Sequence, residues 1–155
     1  MILVGLWVSY RIRRGSYVPI ITELVELFER PEEMRMPGQG TIHFLAGVLL
    51  ATLITRDARI VDVAIIVLSV GDGVSTIVGT RFGSTPIPYN PKKSLEGSLA
   101  GFASAATLTA LWTGDPVVSV LASLVGSAAE TVPRLNDNIV VPVAVALFLL
   151  WWWNR

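Results

Sequence analysis

Six residues in two stretches have the types and spacing to handle an anionic substrate. The first stretch, residues 71 to 97, places Asp72 between Gly71 and Gly73 in an apolar run and follows it with Lys92 and Lys93. The second, residues 130 to 138, holds Glu130, Asp137 and Asn138. An ionisable residue at the centre of a membrane helix costs roughly 2.5 to 3.5 kcal/mol on insertion scales, so such residues usually face a cavity and have a function. A carboxylate suits a hard cation such as Mg²⁺, and paired lysines suit phosphate. Carboxylates and an amide in the second stretch suit completion of a metal site or removal of a proton from an alcohol.

Asn90-Pro91 reads as an N-cap followed by a first helical residue. On that reading Lys92 and Lys93 fall in the first helical turn, where the helix dipole disfavours cations by a few tenths of a kcal/mol each. A phosphate bound at the helix N-terminus would remove the conflict. Glu96, one turn on, is expected to pair with Lys92 or hold the metal. The Lys93-Ser94 pair lacks the glycine spacing of a Walker A loop, and Gly71 and Gly73 lack the third glycine of a dinucleotide fingerprint.

The elements that must position these residues are apolar segments. The chain has 155 residues, is 52% hydrophobic and 15% charged, and has a mean hydropathy of +0.61. A globular domain is about a quarter charged. The apolar residues fall in runs broken by short polar links, the pattern of an all-α polytopic membrane bundle of about five transmembrane helices. The expected segments are Thr41 to Thr55, Ile60 to about Val78, Pro91 to about Thr113, Val117 to about Thr131, and Asn138 to Trp153, with residues 80 to 90 as a loop. Trp151, Trp152 and Trp153 form an interfacial belt. Small residues from Gly97 to Ala106 favour close helix packing.

Residues 1–37 are expected to form a short apolar stub and an interfacial amphipathic helix over Tyr17 to Arg30, ahead of a membrane-embedded catalytic domain over 38–155. Met1 to Tyr10 is too short to span and reads as the end of a longer helix. No cleavable signal peptide is evident.

Zero formal net charge gives no long-range attraction to nucleic acid. The absence of cysteine excludes disulfides and thiol catalysis. A single histidine, His43, excludes a His-rich metal site and reads as structural. Alternate links carry unequal basic charge. Arg11, Arg13, Arg14, Arg30, Arg35, Arg81, Lys92, Lys93 and Arg134 fall on one side, and Arg56, Arg59 and Arg155 on the other. The positive-inside rule then places the 80 to 93 and 131 to 137 links in the cytoplasm, within reach of a cytosolic nucleotide.

Three motifs resemble those of the CTP-dependent polyprenol kinases, the family of dolichol kinase, phytol kinase and CTP-dependent diacylglycerol kinase, related to the phosphatidate cytidylyltransferases. Gly40-Thr41-Ile42-His43-Phe44 with Gly47 resembles the family's Gly-Thr-x-x-Phe helix start. Gly71-Asp72 through Gly79, Arg81 and Gly83 resembles its Gly-Asp stretch, with Ser75 where alanine is common. Lys92-Lys93-Ser94-Leu95-Glu96-Gly97 resembles its Lys-Ser-x-Glu-Gly motif. Glu130, Pro133, Asp137-Asn138 and Pro142 follow in the family's order. The likeness covers roughly residues 38 to 145, and fewer segments precede the first motif than in most members.

The resemblance implies a membrane kinase that moves the γ-phosphate of CTP to a polyprenol, dolichol, phytol or diacylglycerol hydroxyl, with Mg²⁺ as cofactor. It implies Asp72, Lys93, Glu96, Glu130 and Asp137 as catalytic residues and Asp72, Glu96 and Asp137 as metal ligands. Nucleotide would contact Gly71, Gly73, Gly79, Arg81, Lys92, Lys93, Ser94, Gly97 and Asn138. The lipid tail would lie between helices against Gly97 and Gly101. A multi-pass protein of a prokaryotic cytoplasmic membrane is expected, and a homodimer is compatible with it. The rivals are a cytidylyltransferase, whose relatives share a Pro-Lys-Lys-Thr-x-Glu-Gly motif echoed by Asn90-Pro91-Lys92-Lys93, and a transporter using Asp72 as an ion relay.

Overall fold

The computed structural model describes residues 39–133 and 135–155; the expected stub and amphipathic helix lie outside them. The chain divides into two compact units, Met1–Ala46 and Gly47–Arg155. Among the described residues the chain is all-helical apart from one short hairpin. The elements are α1 (Gln39–Thr55), α2 (Ala58–Phe82), β1 (Pro86–Ile87), β2 (Asn90–Ser94), α3 (Leu95–Thr113), α4 (Pro116–Glu130) and α5 (Asp137–Trp153).

Local chemistry sets the helix ends. Asp57 caps α2 by accepting the Arg59 N–H at 2.9 Å. Asp115 caps α4 by accepting the Val117 and Val118 N–H groups, with Pro116 in the first turn where no donor is needed. Gly114 closes α3 in the left-handed conformation at φ 70°. The link between α3 and α4 is only two residues long, and α4 packs back against α3.

In the second unit, α2 packs against α3, α4 and α5, while α4 also packs against α3 and α5. Its interior combines small and β-branched residues, among them Ala64, Ala105, Ala122, Val145 and Ala146 with Ser119 and Ser123, with the larger Ile60, Leu68 and Leu149. Many other large apolar side chains are exposed, among them Leu53, Ile77, Leu99, Leu111, Trp112 and Leu124. A water-soluble bundle rarely exposes a large contiguous apolar patch.

Among the described residues one helix, α2, is long and apolar enough to cross a membrane. It runs unbroken through Asp72. α1, α4 and α5 are apolar but shorter, at 17, 15 and 17 residues. At 1.5 Å per residue, the fifteen residues of α4 reach about 22 Å, short of a hydrocarbon core of about 30 Å.

The most extensive helix contact is that of α2 with α3. A Cβ on Gly101 would lie 2.5 Å from the Gly71 carbonyl oxygen, and one on Gly97 would lie 2.6 Å from that of Ser75. Only glycine permits the two backbones to touch at these positions.

Residues 80 to 90 are not the plain loop expected. α2 continues to Phe82, and the chain then forms an antiparallel hairpin in which Ile87 pairs with Asn90 and Pro86 with Ser94, with an irregular register between them. The Leu95 N–H donates to the Thr85 carbonyl at 2.9 Å and closes the hairpin onto α3.

Candidate active site

The hairpin overturns the expected helix start. Asn90 and Pro91 lie in β2, and Ser94 caps α3, accepting the Gly97 N–H at 3.2 Å. Proline restrains the residue before it to extended backbone and is tolerated in an edge strand, where its missing N–H leaves no bond unmade. Lys92 and Lys93 are therefore strand residues outside the helix, and the conflict with the helix dipole does not arise. Successive strand residues face opposite ways. Lys92 is exposed, while Lys93 is partly buried.

Lys93 is the centre of the site. Its Nζ lies 2.5 Å from Glu130 Oε1, 3.2 Å from Asp72 Oδ1 and 3.6 Å from Asp137 Oδ2. The four residues come from four elements: Asp72 from α2, Lys93 from β2, Glu130 from the end of α4, and Asp137 from the start of α5. All four elements present these residues at one end of the bundle. The Glu130 side chain is only 4% exposed, against 29% for Asp72 and 32% for Asp137. Burial is the largest single influence on the Lys93 ammonium and favours its neutral form. The charge and hydrogen bond of Glu130, then the charges of Asp72 and Asp137, outweigh it, so its pKa is held above the ordinary lysine value.

The expected metal set does not assemble. Glu96 turns away from the cluster, accepting the Ser84 hydroxyl at 2.6 Å and the Thr85 N–H at 3.1 Å. These bonds hold the chain that leads into the hairpin. Among the described residues no group of three carboxylates or histidines gathers closely enough to hold a metal ion. Asp72, Glu130 and Asp137 instead stand around an ammonium. Asp72 and Asp137 remain hard oxygen donors beside Lys93. Such a pair suits Mg²⁺ that is also held by substrate phosphates, the usual way this ion is bound at a nucleotide site.

Other expected site residues are placed as follows. Gly71 and Gly97 lie at the α2–α3 contact, as does Gly79, on which a Cβ would stand 3.1 Å from Ser94 Oγ. Gly73 is open, with nothing within 4 Å of its Cβ position, and Arg81 is exposed in the last turn of α2. Asn136 caps α5, accepting the Asn138 N–H at 3.1 Å, so Asp137 and Asn138 are first-turn residues. The α2–α3 backbone contact at Gly97 and Gly101 leaves no room there for a lipid tail, contrary to expectation. An apolar groove of about 470 Å³ lies between the same helices toward the other end, lined by Asp62, Ile65, Ile66, Leu108, Leu111 and Trp112.

Three contributors were not visible beforehand. The Ser75 hydroxyl donates to Glu130 Oε1 at 2.5 Å. Tyr89 Oη donates to Thr131 Oγ1 at 3.1 Å, and Asn90 Nδ2 to the Thr131 carbonyl at 3.1 Å. The last two pin the hairpin to the end of α4, beside Glu130. The Asn90-Pro91 capping signal marked the place but not the partner, and Ser75 read only as a residue standing where alanine is common.

Comparison with known proteins adds a lineage to this geometry. The chain is 32% identical over 151 residues to an uncharacterized protein of Methanocaldococcus jannaschii, covering 96% of this chain and 75% of that one. It is 38% identical over 132 residues to a probable chloroplastic phytol kinase of Triticum aestivum, covering 72% of this chain and 44% of the relative. It is 32% identical over 127 residues to phytol kinase 1, chloroplastic, of Arabidopsis thaliana, covering 70% and 42%. The chain thus spans less than half the length of these plant relatives. No family model matches it, and no solved structure does.

Proposed function

The chain belongs to the polyprenol and phytol kinase family, and from that premise we propose that it is an integral membrane kinase transferring the γ-phosphate of CTP to the hydroxyl of a lipid alcohol. The observation that carries the reading is a buried-to-surface cluster of one lysine and three carboxylates at one end of a bundle with an apolar exterior. In this reading the bundle is multi-pass in a prokaryotic cytoplasmic membrane with the cluster facing the cytoplasm, an orientation that the unequal distribution of basic residues supports. The shorter helices span by local thinning of the bilayer.

Phosphoryl transfer is mainly positioning and charge neutralisation. In this reading Lys93 leaves part of its carboxylate shell to contact the triphosphate, and Arg81 and Lys92 add positive charge at the rim. Asp72 and Asp137 would hold Mg²⁺ together with the phosphates, and the ion would neutralise charge on the transferring group. Asp137 takes the proton of the lipid hydroxyl. It is the better base because it is more exposed than Glu130 and farther from Lys93, whereas Glu130 is fixed by two donors. The alcohol oxygen forms a bond to the γ-phosphorus, the bond from that phosphorus to the β-phosphate oxygen breaks, and CDP leaves.

The test is purified full chain in detergent with γ-labelled CTP and a panel of phytol, geranylgeraniol, polyprenol, dolichol and diacylglycerol. Labelled lipid monophosphate and CDP are expected. Release of pyrophosphate with a CDP-lipid would instead identify a cytidylyltransferase, and ion flux without CTP binding a transporter. Full activity in both Asp72→Asn and Lys93→Ala would overturn the residue assignments.

A further inference from the structure

Glu130 occupies an unfavourable place on two counts. It ends α4, where the helix dipole is negative, and it is almost wholly buried, at 6% residue exposure. A carboxylate there needs donors. It has two, and both reach the same oxygen: Lys93 Nζ and Ser75 Oγ, each at 2.5 Å from Oε1. Ser75 is itself 4% exposed. Its Cβ would lie 2.9 Å from a Cβ on Gly101, so α3 confines the side chain on one flank. Its hydroxyl also lies 3.1 Å from the Asp72 carbonyl, the local acceptor a helical serine commonly uses. The shorter contact is the one to Glu130, across 55 residues of chain.

We propose that Ser75 is a positioning residue for Lys93, acting through Glu130. Its hydroxyl fixes the carboxylate oxygen against which the Lys93 ammonium is aimed. Asp72 and Asp137 stand farther from that ammonium, at 3.2 and 3.6 Å, and are more exposed, so they do not set its place alone. Without the hydroxyl, Glu130 turns about its own side chain and carries Lys93 with it. The functional consequence rests on reading Lys93 as the cation that meets the triphosphate.

The experiment compares wild type, Ser75→Ala, Glu130→Gln and the double variant by two measurements on the full chain in detergent. The first is the rate at which acetic anhydride modifies Lys93, followed by peptide mass spectrometry. The second is the dissociation constant for CTP, measured without lipid. Alanine keeps the Cβ that faces α3 and removes only the donor. Ser75→Ala should speed Lys93 modification several-fold and weaken CTP binding on the order of tenfold, the usual cost of a lost hydrogen bond to a charged group. In the Glu130→Gln background the same change should add nothing to either number.

Equal Lys93 reactivity in wild type and Ser75→Ala, or the same increment in both backgrounds, overturns the proposal. If reactivity responds as expected while wild type binds no CTP, the kinase reading fails and the positioning role stands. Ser75→Cys keeps the shape with a weaker donor and should fall between wild type and alanine in Lys93 reactivity. A value at or beyond either end counts against the proposal.

Discussion

Replacing Lys93 with methionine should damage stability through one carboxylate. The substitution keeps an unbranched stem and removes the ammonium. Asp72 and Asp137 can turn to water, being about a third exposed, but Glu130 cannot. Removing one partner of a buried ion pair costs roughly 3 to 5 kcal/mol because the other charge stays behind. Lys93 is itself 19% exposed, which lowers the expectation to about 3 kcal/mol. Lys93→Met/Glu130→Gln should recover at least half of that, since no charge is stranded.

Alkaline pH supplies an independent check of the same interaction. The folded pKa of Lys93 lies above its unfolded value, since the carboxylates favour the charged form. Its contribution is therefore fully present below the unfolded lysine pKa, about 10.4, and is lost as pH rises through the folded value. Reversible unfolding in mixed detergent micelles, monitored by tryptophan fluorescence from neutral pH into the alkaline range, measures both effects. The gap between wild type and Lys93→Met should stay constant at neutral pH and close in alkali. A gap that persists there, or a double variant no more stable than Lys93→Met, would refute the assignment of Lys93 to Glu130.

Glu96→Ala should loosen the turn before the hairpin by removing the acceptor for Ser84 and Thr85. Backbone hydrogen exchange at Thr85 and Leu95 should rise, with global stability little changed for so exposed a pair of bonds. Gly101→Val should force α2 and α3 apart at the Gly71 carbonyl, lowering stability by at least about 2 kcal/mol, seen as a lower midpoint of thermal unfolding. Asp137→Asn should reduce turnover by at least about a hundredfold, as expected for a lost general base, while the dissociation constant for CTP measured without Mg²⁺ changes far less; equal losses in both would move Asp137 from proton transfer to direct nucleotide binding.

The helices were legible because their signals are long and repeated. Asp57 and Asp115-Pro116 announce starts, and Gly114 announces an end. The membership of Asp72, Lys93, Glu130 and Asp137 in one site was also legible, since charges in apolar segments need partners. Their mutual arrangement was not. Asn90-Pro91 carries a valid capping signal, but Ser94 competes for the same helix and wins, because it reaches the Gly97 N–H while the segment before it pairs with residues 86 and 87. A strand of two residues has no periodicity to detect. Glu96 looked like a ligand because its true partners, Ser84 and Thr85, return through a turn that no local pattern specifies. Ser75 has a role only because Glu130, 55 positions away, ends a helix beside it.

Three members of the Lys93 cluster sit at a connection or a helix end on one side of the bundle, Lys93 in β2, Glu130 closing α4 and Asp137 opening α5, and Asp72 meets them from within α2. On the proposed function, this makes the kinase one-sided in a membrane. Reconstituted at random into sealed vesicles, the molecules whose cluster faces the lumen would be latent toward added CTP. Permeabilising the vesicles should unmask them, so the fraction of activity gained on permeabilisation reads insertion direction directly, without any tag on the protein.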